Sequence, residues 1–339
     1  MKLNSMRDSK LSANYCKIRN AEARRFVRKF GGGFRKTACP ACASSDTHFE
    51  FQKCLFKFMR CNECGTLFIS PRPTESMIME FFRDSAASAL WNSKIITKAE
   101  AYRRKHVFIP RVEKILTFCS KYHSDMGTLV DVGAGSGIFL EEMLKKRKFA
   151  SLIAVDTNSI CCAACRKRGV DAVQSTFEKS KIRDISVITA FELIEHLFDP
   201  LRFLLYCHSS LRDNGMLFIT TPNIMGFDLL TLGSLSDNIS GPTHLNYFNT
   251  SSMRILLERA GFHVLEILTP GKLDVEIIRE KALSGVLDLT SQPFLKKIIL
   301  DGDDKVRKDL QRFLNSHLMS SHLWAVAQKK KSVRKPTNV

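Results

Sequence analysis

From residue 128 onward, short apolar runs alternate with segments in which apolar residues recur at helical spacing. The longer spaced segments predict helices at residues 137–148, 199–212 and 250–260. Strands that alternate with helices are typical of a parallel, doubly wound sheet, so the predicted fold class is α/β. Helical sequence separates the last two apolar runs, which predict an antiparallel edge. The seven predicted strands are TLVDVG, SLIAVD, VDAVQS, ISVITAFE, GMLFITTPN, FHVLEIL and HLWAVAQK.

The chain before residue 128 divides into segments of different composition. Residues 1–36 carry many basic side chains and end in three glycines, which predicts a flexible basic arm. Residues 71–127 combine a proline-marked turn with helical spacing, which predicts a helical connector. The predicted organisation is an arm at 1–36, a small unit at 37–70, a connector at 71–127, a main domain at 128–328 with a helical insertion at about 270–320, and a basic tail at 329–339.

The net charge of +18 is concentrated at the two ends of the chain. Residues 1–38 hold +9 and residues 329–339 hold +5, which leaves +4 for the rest. Such basic ends are more typical of solvated tails than of a specific nucleic-acid reader, although a polyanion would attract them. The longest apolar runs are too short to span a membrane, and the N-terminus lacks the apolar core of a secretory signal. A cytoplasmic location is therefore expected.

Four of the eleven cysteines form two C-x2-C pairs, CPAC and CNEC, with 18 residues between them. This spacing is typical of a zinc ribbon, in which each pair supplies two thiolates from one tight turn. A closed shell of four sulfurs leaves no position for water, so the predicted zinc is structural. The alternative is four unconnected buried thiols. The predicted zinc ligands are Cys39, Cys42, Cys61 and Cys64.

Residues 128–143, TLVDVGAGSGIFLEEM, carry three glycines between a predicted strand and a predicted helix. The dinucleotide fingerprint fails at Ile138, where its third glycine should stand, and no Gly-Lys-Ser/Thr follows as in a phosphate-binding loop. Asp131 precedes the glycines, and Asp156 ends the next predicted strand. A carboxylate at the second position can accept hydrogen bonds from both ribose hydroxyls. Because an acid beside the turn suits a cationic cofactor and not a pyrophosphate, the pattern predicts S-adenosylmethionine.

The motifs LVDVGAGSG, AVDTN, FELIEHLFDP and GMLFITTPN resemble those of class I S-adenosylmethionine-dependent methyltransferases, over roughly residues 128–268. The nearest likeness is to the branch that includes ubiquinone O-methyltransferase and many sugar methyltransferases. CPAC…CNECGTLFISPRPT and GPTHLNYFNTSSMRILLERAGF are similar to a bacterial subgroup with an N-terminal zinc ribbon. The resemblance implies a Rossmann-like, seven-stranded, mostly parallel sheet with an antiparallel edge, preceded by the ribbon.

The resemblance also implies which residues hold the cofactor. The first acid and the glycines would surround its methionine part, the second acid its ribose, and the next residues its adenine. The end of the fourth strand would lie beneath the sulfonium. The implied cofactor-binding residues are Asp131, Gly133, Gly135, Gly137, Asp156, Thr157, Asn158, Phe177, Phe191 and Glu192.

Two histidines are candidates for the general base that favours methyl transfer to a hydroxyl. His244 lies in GPTHLNYF, between the fifth strand and the next helix, a region that covers the acceptor in this family. Tyr247, in the same segment, can hydrogen-bond a polar acceptor. The alternative role for His244 is to anchor this loop. His196 is the second candidate, so the predicted catalytic residues are His244, His196 and Tyr247.

His196 belongs to a group of acids with a second interpretation. Glu192-x-x-Glu195-His196 resembles a motif with which some ubiquinone O-methyltransferases hold a divalent cation. Stabilisation of a helix N-terminus explains the same acids without a metal.

Two classes of acceptor remain open. The family likeness favours a small-molecule or saccharide acceptor, methylated on oxygen, in surface-polysaccharide or secondary-metabolite biosynthesis. The alternative is an RNA methyltransferase in which the ribbon and the basic arm hold phosphates. The sequence leaves the oligomeric state undetermined.

Overall fold

The computed structural model describes residues 9–91 and 99–330. Its strands are β1 (Thr47–Lys53), β2 (Phe56–Cys61), β3 (Leu67–Ile69), β4 (Thr128–Val132), β5 (Ser151–Asp156), β6 (Asp171–Gln174), β7 (Ile185–Phe191), β8 (Leu211–Pro222), β9 (Asn246–Tyr247), β10 (Phe262–Leu268) and β11 (His322–Lys329). Its α-helices are α1 (Ser9–Phe30), α2 (Glu75–Asp84), α3 (Ala86–Leu90), α4 (Glu100–Arg103), α5 (Ile109–Lys121), α6 (Ile138–Leu144), α7 (Ser159–Lys167), α8 (Phe177–Ser180), α9 (Pro200–Ser210), α10 (Phe227–Leu232), α11 (Thr250–Arg259), α12 (Asp274–Leu283), α13 (Pro293–Lys296) and α14 (Asp304–Ser316).

Seven strands form one sheet in the order β10-β11-β8-β7-β4-β5-β6. Neighbouring strands from β8 to β6 pair in parallel, whereas β11 is antiparallel to both of its neighbours. The predicted seven-stranded, mostly parallel sheet is confirmed, although the antiparallel strand is second from the edge. Because the parallel strands end on the same side, the ends of β4, β5, β7 and β8 form one edge, where ligands bind in open α/β sheets.

Apolar side chains cover both faces of this sheet. Along β7 every residue up to Ala190 is buried, as expected for a central parallel strand. Val187 belongs to the same buried cluster as Ile115 of α5, while the next residue, Ile188, belongs to a second cluster with Leu256 of α11. The continuous apolar runs in the sequence therefore correspond to a sheet that is buried on both sides.

A second sheet joins the N-terminal part of the chain to the main domain. Its strand order is β1-β2-β3-β9, so a strand from residues 246–247 completes the N-terminal hairpin. Leu67 pairs with Tyr247, and Arg72 donates to Asn246 Oδ1 at 3.0 Å. The small unit at residues 37–70 is therefore built onto the main domain.

The prediction of a flexible basic arm at residues 1–36 is wrong for the described residues, because Ser9–Phe30 is a helix of 22 residues. Its apolar face buries Ala23 and Phe26, and Phe26 packs against the rings of Phe56 and Phe81. The three glycines form a 3-10 turn that continues from the helix. The charge count of this segment gave no sign of its apolar face. Residues 1–8, and residues 331–339 of the predicted tail, lie outside the described residues.

Helices α12, α13 and α14 occupy the region of the predicted insertion, and their apolar residues pack against Leu232 of α10. Among the described residues, no helix is both long enough and apolar enough to cross a membrane.

Candidate functional site

The glycine turn, residues 133–137, follows β4 at the carboxyl edge of the large sheet. Gly133, Gly135 and Gly137 all have positive φ, of 74°, 55° and 76°. A Cβ on Gly137 would lie 3.1 Å from the Cα of Cys165 and 2.8 Å from its sulfur. Glycine is required here because the turn is left-handed and lies against α7.

Asp131 lies behind the turn, where only 3% of the residue is exposed. Its carboxylate accepts a hydrogen bond from Thr189 Oγ1 at 2.6 Å. Burial raises the pKa of Asp131 to about 7, against the effects of Thr189 and of the nearby Arg111 cation. A bound cation would restore the ionised form of this acid.

Asp156, at the end of β5, closes the turn from the side. One carboxylate oxygen accepts from the Gly135 N–H at 2.9 Å, and the other accepts from the Asn158 N–H at 2.8 Å. Burial raises the pKa of Asp156. Thr157 is exposed at this edge, whereas the Asn158 side chain caps α7 by accepting from the Ile160 N–H at 2.9 Å. Asp156 therefore lies against the glycine turn and helps to hold it in shape, and Asn158 caps the helix that packs on the turn.

Phe177 differs from the role that the resemblance implied. Its ring is buried and packs edge-on against Tyr206, with 5.1 Å between ring centroids. Because the ring lies in the core, it supports the wall of the site from behind instead of offering an exposed face to an adenine.

Arg111 is a residue of the site that the sequence analysis missed. It lies on α5 and is only 7% exposed, with its guanidinium 4.1 Å from the centroid of the Phe191 ring. Its Nε has no hydrogen-bond partner among the described residues. Burial lowers the pKa of Arg111 to about 10, although Glu192 and Asp131 oppose the shift. The signal in the sequence was a basic residue on an otherwise apolar helix face.

Glu192 follows the end of β7 with a positive φ of 51°. Its carboxylate accepts from Thr220 Oγ1 at 2.7 Å and pairs with His322 Nε2 at 2.9 Å. Partial desolvation would raise the pKa of Glu192, but its side chain is 44% exposed, and His322, Arg111 and Thr220 outweigh this effect and lower the pKa below its usual range. His322, on the last strand, was also missed because it lies far along the chain.

Glu195, His196 and His244 come together beside β9. His196 Nδ1 lies 2.5 Å from the Thr243 carbonyl oxygen, and His244 Nδ1 lies 2.9 Å from that of Asn238. A carbonyl oxygen only accepts, so each Nδ1 carries the proton and each Nε2 keeps a lone pair.

Burial lowers the pKa of His196, and burial together with His196 lowers the pKa of His244 to about 3. Both rings are therefore neutral near neutral pH.

The same three side chains form the set that could hold a cation, with their ligand atoms within 4.8 Å of one another. This set differs from the expected Glu192, Glu195 and His196, because Glu192 pairs with His322 and His244 takes its place. Glu195 is 1% exposed and accepts from Thr221 Oγ1 at 3.0 Å. The cluster offers two neutral nitrogens and one carboxylate oxygen, which suit either a hydroxyl proton or a divalent ion.

The catalytic role expected for Tyr247 is wrong for a physical reason. The side chain is fully buried, and its hydroxyl accepts from the Ser240 N–H at 2.8 Å. It also donates to the Asn238 oxygen at 3.4 Å. Tyr247 therefore stabilises residues 236–247, which we call the histidine loop, and does not face a ligand.

The four predicted zinc ligands, Cys39, Cys42, Cys61 and Cys64, lie together with their sulfurs within 4.8 Å of one another. The Cys39 and Cys64 sulfurs are 3.4 Å apart, and those of Cys42 and Cys61 are 3.5 Å apart. A tetrahedron with metal–sulfur bonds of 2.3 Å has edges of about 3.8 Å, so this arrangement fits zinc closely. The hydrogen bond between the Cys39 and Cys64 sulfurs lowers the pKa of Cys64 to about 5 and raises the pKa of Cys39, so one sulfur of this pair is a thiolate.

Comparisons with known proteins agree with this geometry. Residues 102–267 match a family model described as a methyltransferase domain. The chain is 33% identical over 115 residues to a probable S-adenosylmethionine-dependent methyltransferase of Mycobacterium tuberculosis, covering 33% of this chain and 40% of the relative. It is 30% identical over 105 residues to the ubiquinone biosynthesis O-methyltransferase of Pseudomonas paraeruginosa, covering 28% of this chain and 44% of the relative.

The chain thus spans less than half the length of either relative. Among solved structures, an S-adenosylmethionine-dependent methyltransferase from Clostridium acetobutylicum is similar with a TM-score of 0.46 and 11% identity, over 69% of this chain and 98% of that one. The matched segment contains six of the seven strands and the whole glycine turn. In sequence and fold, residues 102–267 are therefore similar to the domain of class I S-adenosylmethionine-dependent methyltransferases.

Proposed function

We propose that this domain makes the chain an enzyme that transfers a methyl group from S-adenosylmethionine to a hydroxyl of a small-molecule or saccharide acceptor. The observation that carries the proposal is the shared edge of the sheet. There, Asp156 closes the glycine turn, and a Cβ on Gly133 of this turn would lie 3.2 Å from Leu193, three residues before His196 of the neutral histidine pair. The likeness to a ubiquinone biosynthesis O-methyltransferase supports an oxygen acceptor.

The buried charges at this edge fit the cofactor. Asp131 is a buried acid with a raised pKa, and Arg111 is a buried cation whose Nε lacks a partner among the described residues. An amino-acid part with an ammonium and a carboxylate would satisfy both groups, and Asp156 would accept from the ribose hydroxyls. When bound, S-adenosylmethionine supplies an electrophilic methyl group on a positively charged sulfur.

We propose that the histidine cluster, formed by His196 and His244, accepts the proton of the acceptor hydroxyl. The lone pair on Nε2 of His244 or His196 accepts a hydrogen bond from the hydroxyl and orients its oxygen toward the methyl carbon. Transfer of the methyl group to this oxygen would make its proton strongly acidic, and the Nε2 lone pair would accept that proton, so a weakly basic histidine suffices.

We further propose that the four clustered cysteines bind one structural zinc ion. They lie beneath the histidine loop, because the Cys64 carbonyl accepts from Asn249 Nδ2 at 2.8 Å just after β9. The zinc would hold the small sheet together and thereby support the strand that follows His244.

Methyl-labelled S-adenosylmethionine with fractionated cell extract tests the function. We expect label in the small-molecule or saccharide fraction, and titration calorimetry should show that the protein binds the cofactor. Label in the RNA fraction instead would support the alternative acceptor. Three ribbon aromatics, Phe56, Phe58 and Phe68, are buried and offer no stacking surface to RNA, whereas Phe49 is 54% exposed. Absence of cofactor binding would contradict the whole assignment.

A further inference from the structure

Arg19 is a buried cation that the chain itself leaves incompletely paired. It lies on the inner face of α1 and is only 6% exposed. Its Nε and Nη2 have no hydrogen-bond partner among the described residues, although its guanidinium lies 5.3 Å from the centroid of the Tyr15 ring. A buried charge without hydrogen bonds destabilises a fold, so its presence calls for a ligand or another reason.

A second cation, Lys53, lies close to Arg19. Its Nζ donates to the Ser236 carbonyl oxygen at 2.6 Å, at the start of the histidine loop. Burial, followed by repulsion from Arg19, lowers the pKa of Lys53 to about 8. The positive charge of Arg19 thus adds to the effect of burial in lowering the pKa of Lys53.

The nearest acid, Asp237, is already engaged by another side chain. Its carboxylate pairs with Lys281 Nζ at 2.6 Å, while Arg19 and Lys53 act on it only through longer-range attraction. Asp237 thus pairs directly with Lys281, and neither Arg19 nor Lys53 has an acid at ion-pair distance among the described residues.

These cations belong to the same part of the molecule as the histidine cluster. The histidine loop carries both the Ser236 oxygen that binds Lys53 and the Asn238 oxygen that binds His244. The charge of Arg19 is one cause, after burial and His196, of the lowered pKa of His244. An acceptor whose hydroxyl reaches His244 would therefore bring its other groups near Arg19.

We propose that Arg19 and Lys53 bind an anionic group, a carboxylate or a phosphate, on the methyl acceptor. Both anions accept the paired hydrogen bonds that a guanidinium donates, and a lysine ammonium adds a point charge. The inference rests on the proposed function and narrows its acceptor to an anionic molecule.

The test is thermal unfolding of the full chain, saturated with S-adenosylhomocysteine, in the presence of inorganic phosphate or of glucuronate. A ligand that binds the folded state raises the midpoint with its concentration, which gives the affinity. The variants are Arg19→Met and Lys53→Met, with Arg24→Met as the matched control. Arg24 lies on the same helix with its side chain exposed, so Arg24→Met removes the same charge without changing the proposed anion site.

We expect the wild type and Arg24→Met to bind at least one anion, and each site variant to bind it about 10–100-fold more weakly. Whichever of phosphate or glucuronate binds more tightly identifies the class of anionic group. Without anion, Arg19→Met should unfold at the same temperature as Arg24→Met or higher, because it removes a buried charge that is incompletely paired.

Equal anion affinity in all four proteins, or binding of neither anion by the wild type, would overturn the inference. A midpoint for Arg19→Met well below that of Arg24→Met would also overturn it, since Arg19 would then be structural. Titration of S-adenosylhomocysteine into the same samples separates the two proposals. Normal cofactor binding without anion binding rejects only the anion site, whereas no cofactor binding rejects the proposed function.

Discussion

The cofactor side and the histidine side of the site share one edge of the sheet but are built from very different lengths of chain. The cofactor side comes mainly from residues 131–158, where Asp156 closes the turn onto Gly135 at 2.9 Å. The histidine side combines β1, the end of β7 and the histidine loop, and α1 carries Arg19 beside them. One side is therefore local in sequence, and the other depends on long-range packing.

This difference matters for how each side can fail. A left-handed glycine turn is fixed by its own backbone, so a change there should act locally. The histidine loop is held by the N-terminal sheet, because β9 pairs with β3 and Arg72 binds Asn246. A change as far away as the cysteine cluster should therefore reach the histidines while leaving the cofactor side intact.

The largest expected effect comes from removing one cysteine ligand. Cys61→Ser should reduce the bound metal from about one zinc per chain to almost none, because apparent zinc affinities in such sites are about 10–16 kcal/mol. Hydrogen exchange should then show loss of protection in β2, β3 and β9. The affinity for S-adenosylhomocysteine should change by less than about threefold.

The matched control is Cys54→Ser, a cysteine of the same unit that lies outside the metal cluster. It should keep the zinc and the protection of β9. If Cys61→Ser abolished cofactor binding as well, the two sides would not be independent, and retained zinc would exclude Cys61 as a ligand.

The next effect tests whether the glycine turn is as local as its geometry indicates. Gly137→Ala should destabilise the fold by roughly 2–4 kcal/mol, because it combines a left-handed backbone with a clash against Cys165. We expect cofactor affinity to fall at least about tenfold. Urea unfolding and titration calorimetry measure the two quantities.

Gly285→Ala provides the control for backbone strain alone. Its φ of 74° is close to the 76° of Gly137, but a Cβ there meets open space. Gly285→Ala should lower the free energy of unfolding by about 1–2 kcal/mol and leave cofactor affinity unchanged. Equal losses in the two variants would mean that contact with α7 does not shape the turn.

A smaller effect is expected for the charge of Asp156. Asp156→Asn keeps the size of the side chain but offers one acceptor oxygen where two backbone N–H groups now donate. Loss of a hydrogen bond to a charged group corresponds to about 1.5–3 kcal/mol, or a 10–100-fold weaker affinity for S-adenosylhomocysteine. Asp171→Asn, an exposed acid on the next strand, should bind normally, and an unchanged affinity in Asp156→Asn would remove the acid from the cofactor site.

The same contrast explains what could be predicted from the sequence. The strands, the glycine turn and the cysteine pairs are patterns over a few residues, and each reflects a local requirement of backbone or ligand geometry. Arg111 and His322 contribute to the site from distant helices and strands, so no short pattern contains them. Tyr247 was misjudged because its polar hydroxyl is satisfied by its own loop, which only the folded chain reveals.

Helix α1 shows most clearly which features could not be predicted from the sequence. Its eleven-residue stretch from Arg19 to Lys29 holds many cations, and charge alone suggested a solvated arm. Burial of Ala23 and Phe26 depends on Phe56 and Phe81, which lie far along the chain. Composition cannot show such a partner, because it averages over the two faces of a helix.

The smallest expected effect concerns the protonation of His244 on the histidine side. It is a change in the free energy of unfolding between two pH values. In the folded protein burial lowers the pKa of His244 to about 3, whereas an unfolded histidine has a pKa of about 6.5. Between these values the unfolded chain binds the extra proton and the folded chain does not. Neutral His244 therefore makes its full contribution to the free energy of unfolding above about pH 6.5, and this contribution is lost as the pH falls.

His244→Gln removes this titration, so its free energy of unfolding should fall less than that of the wild type between pH 6.5 and pH 5.5, by about 1 kcal/mol. Burial raises the pKa of Asp131, which has the opposite effect on stability, but this acid is present in both proteins and cancels in the comparison. His263→Gln, at an exposed histidine of β10, should follow the wild type. Urea unfolding at the two pH values measures the differences. A wild type and a His244→Gln variant with parallel pH profiles would mean that His244 is protonated equally in the folded and unfolded chains, and the neutral histidine assigned to the acceptor hydroxyl would have to be abandoned.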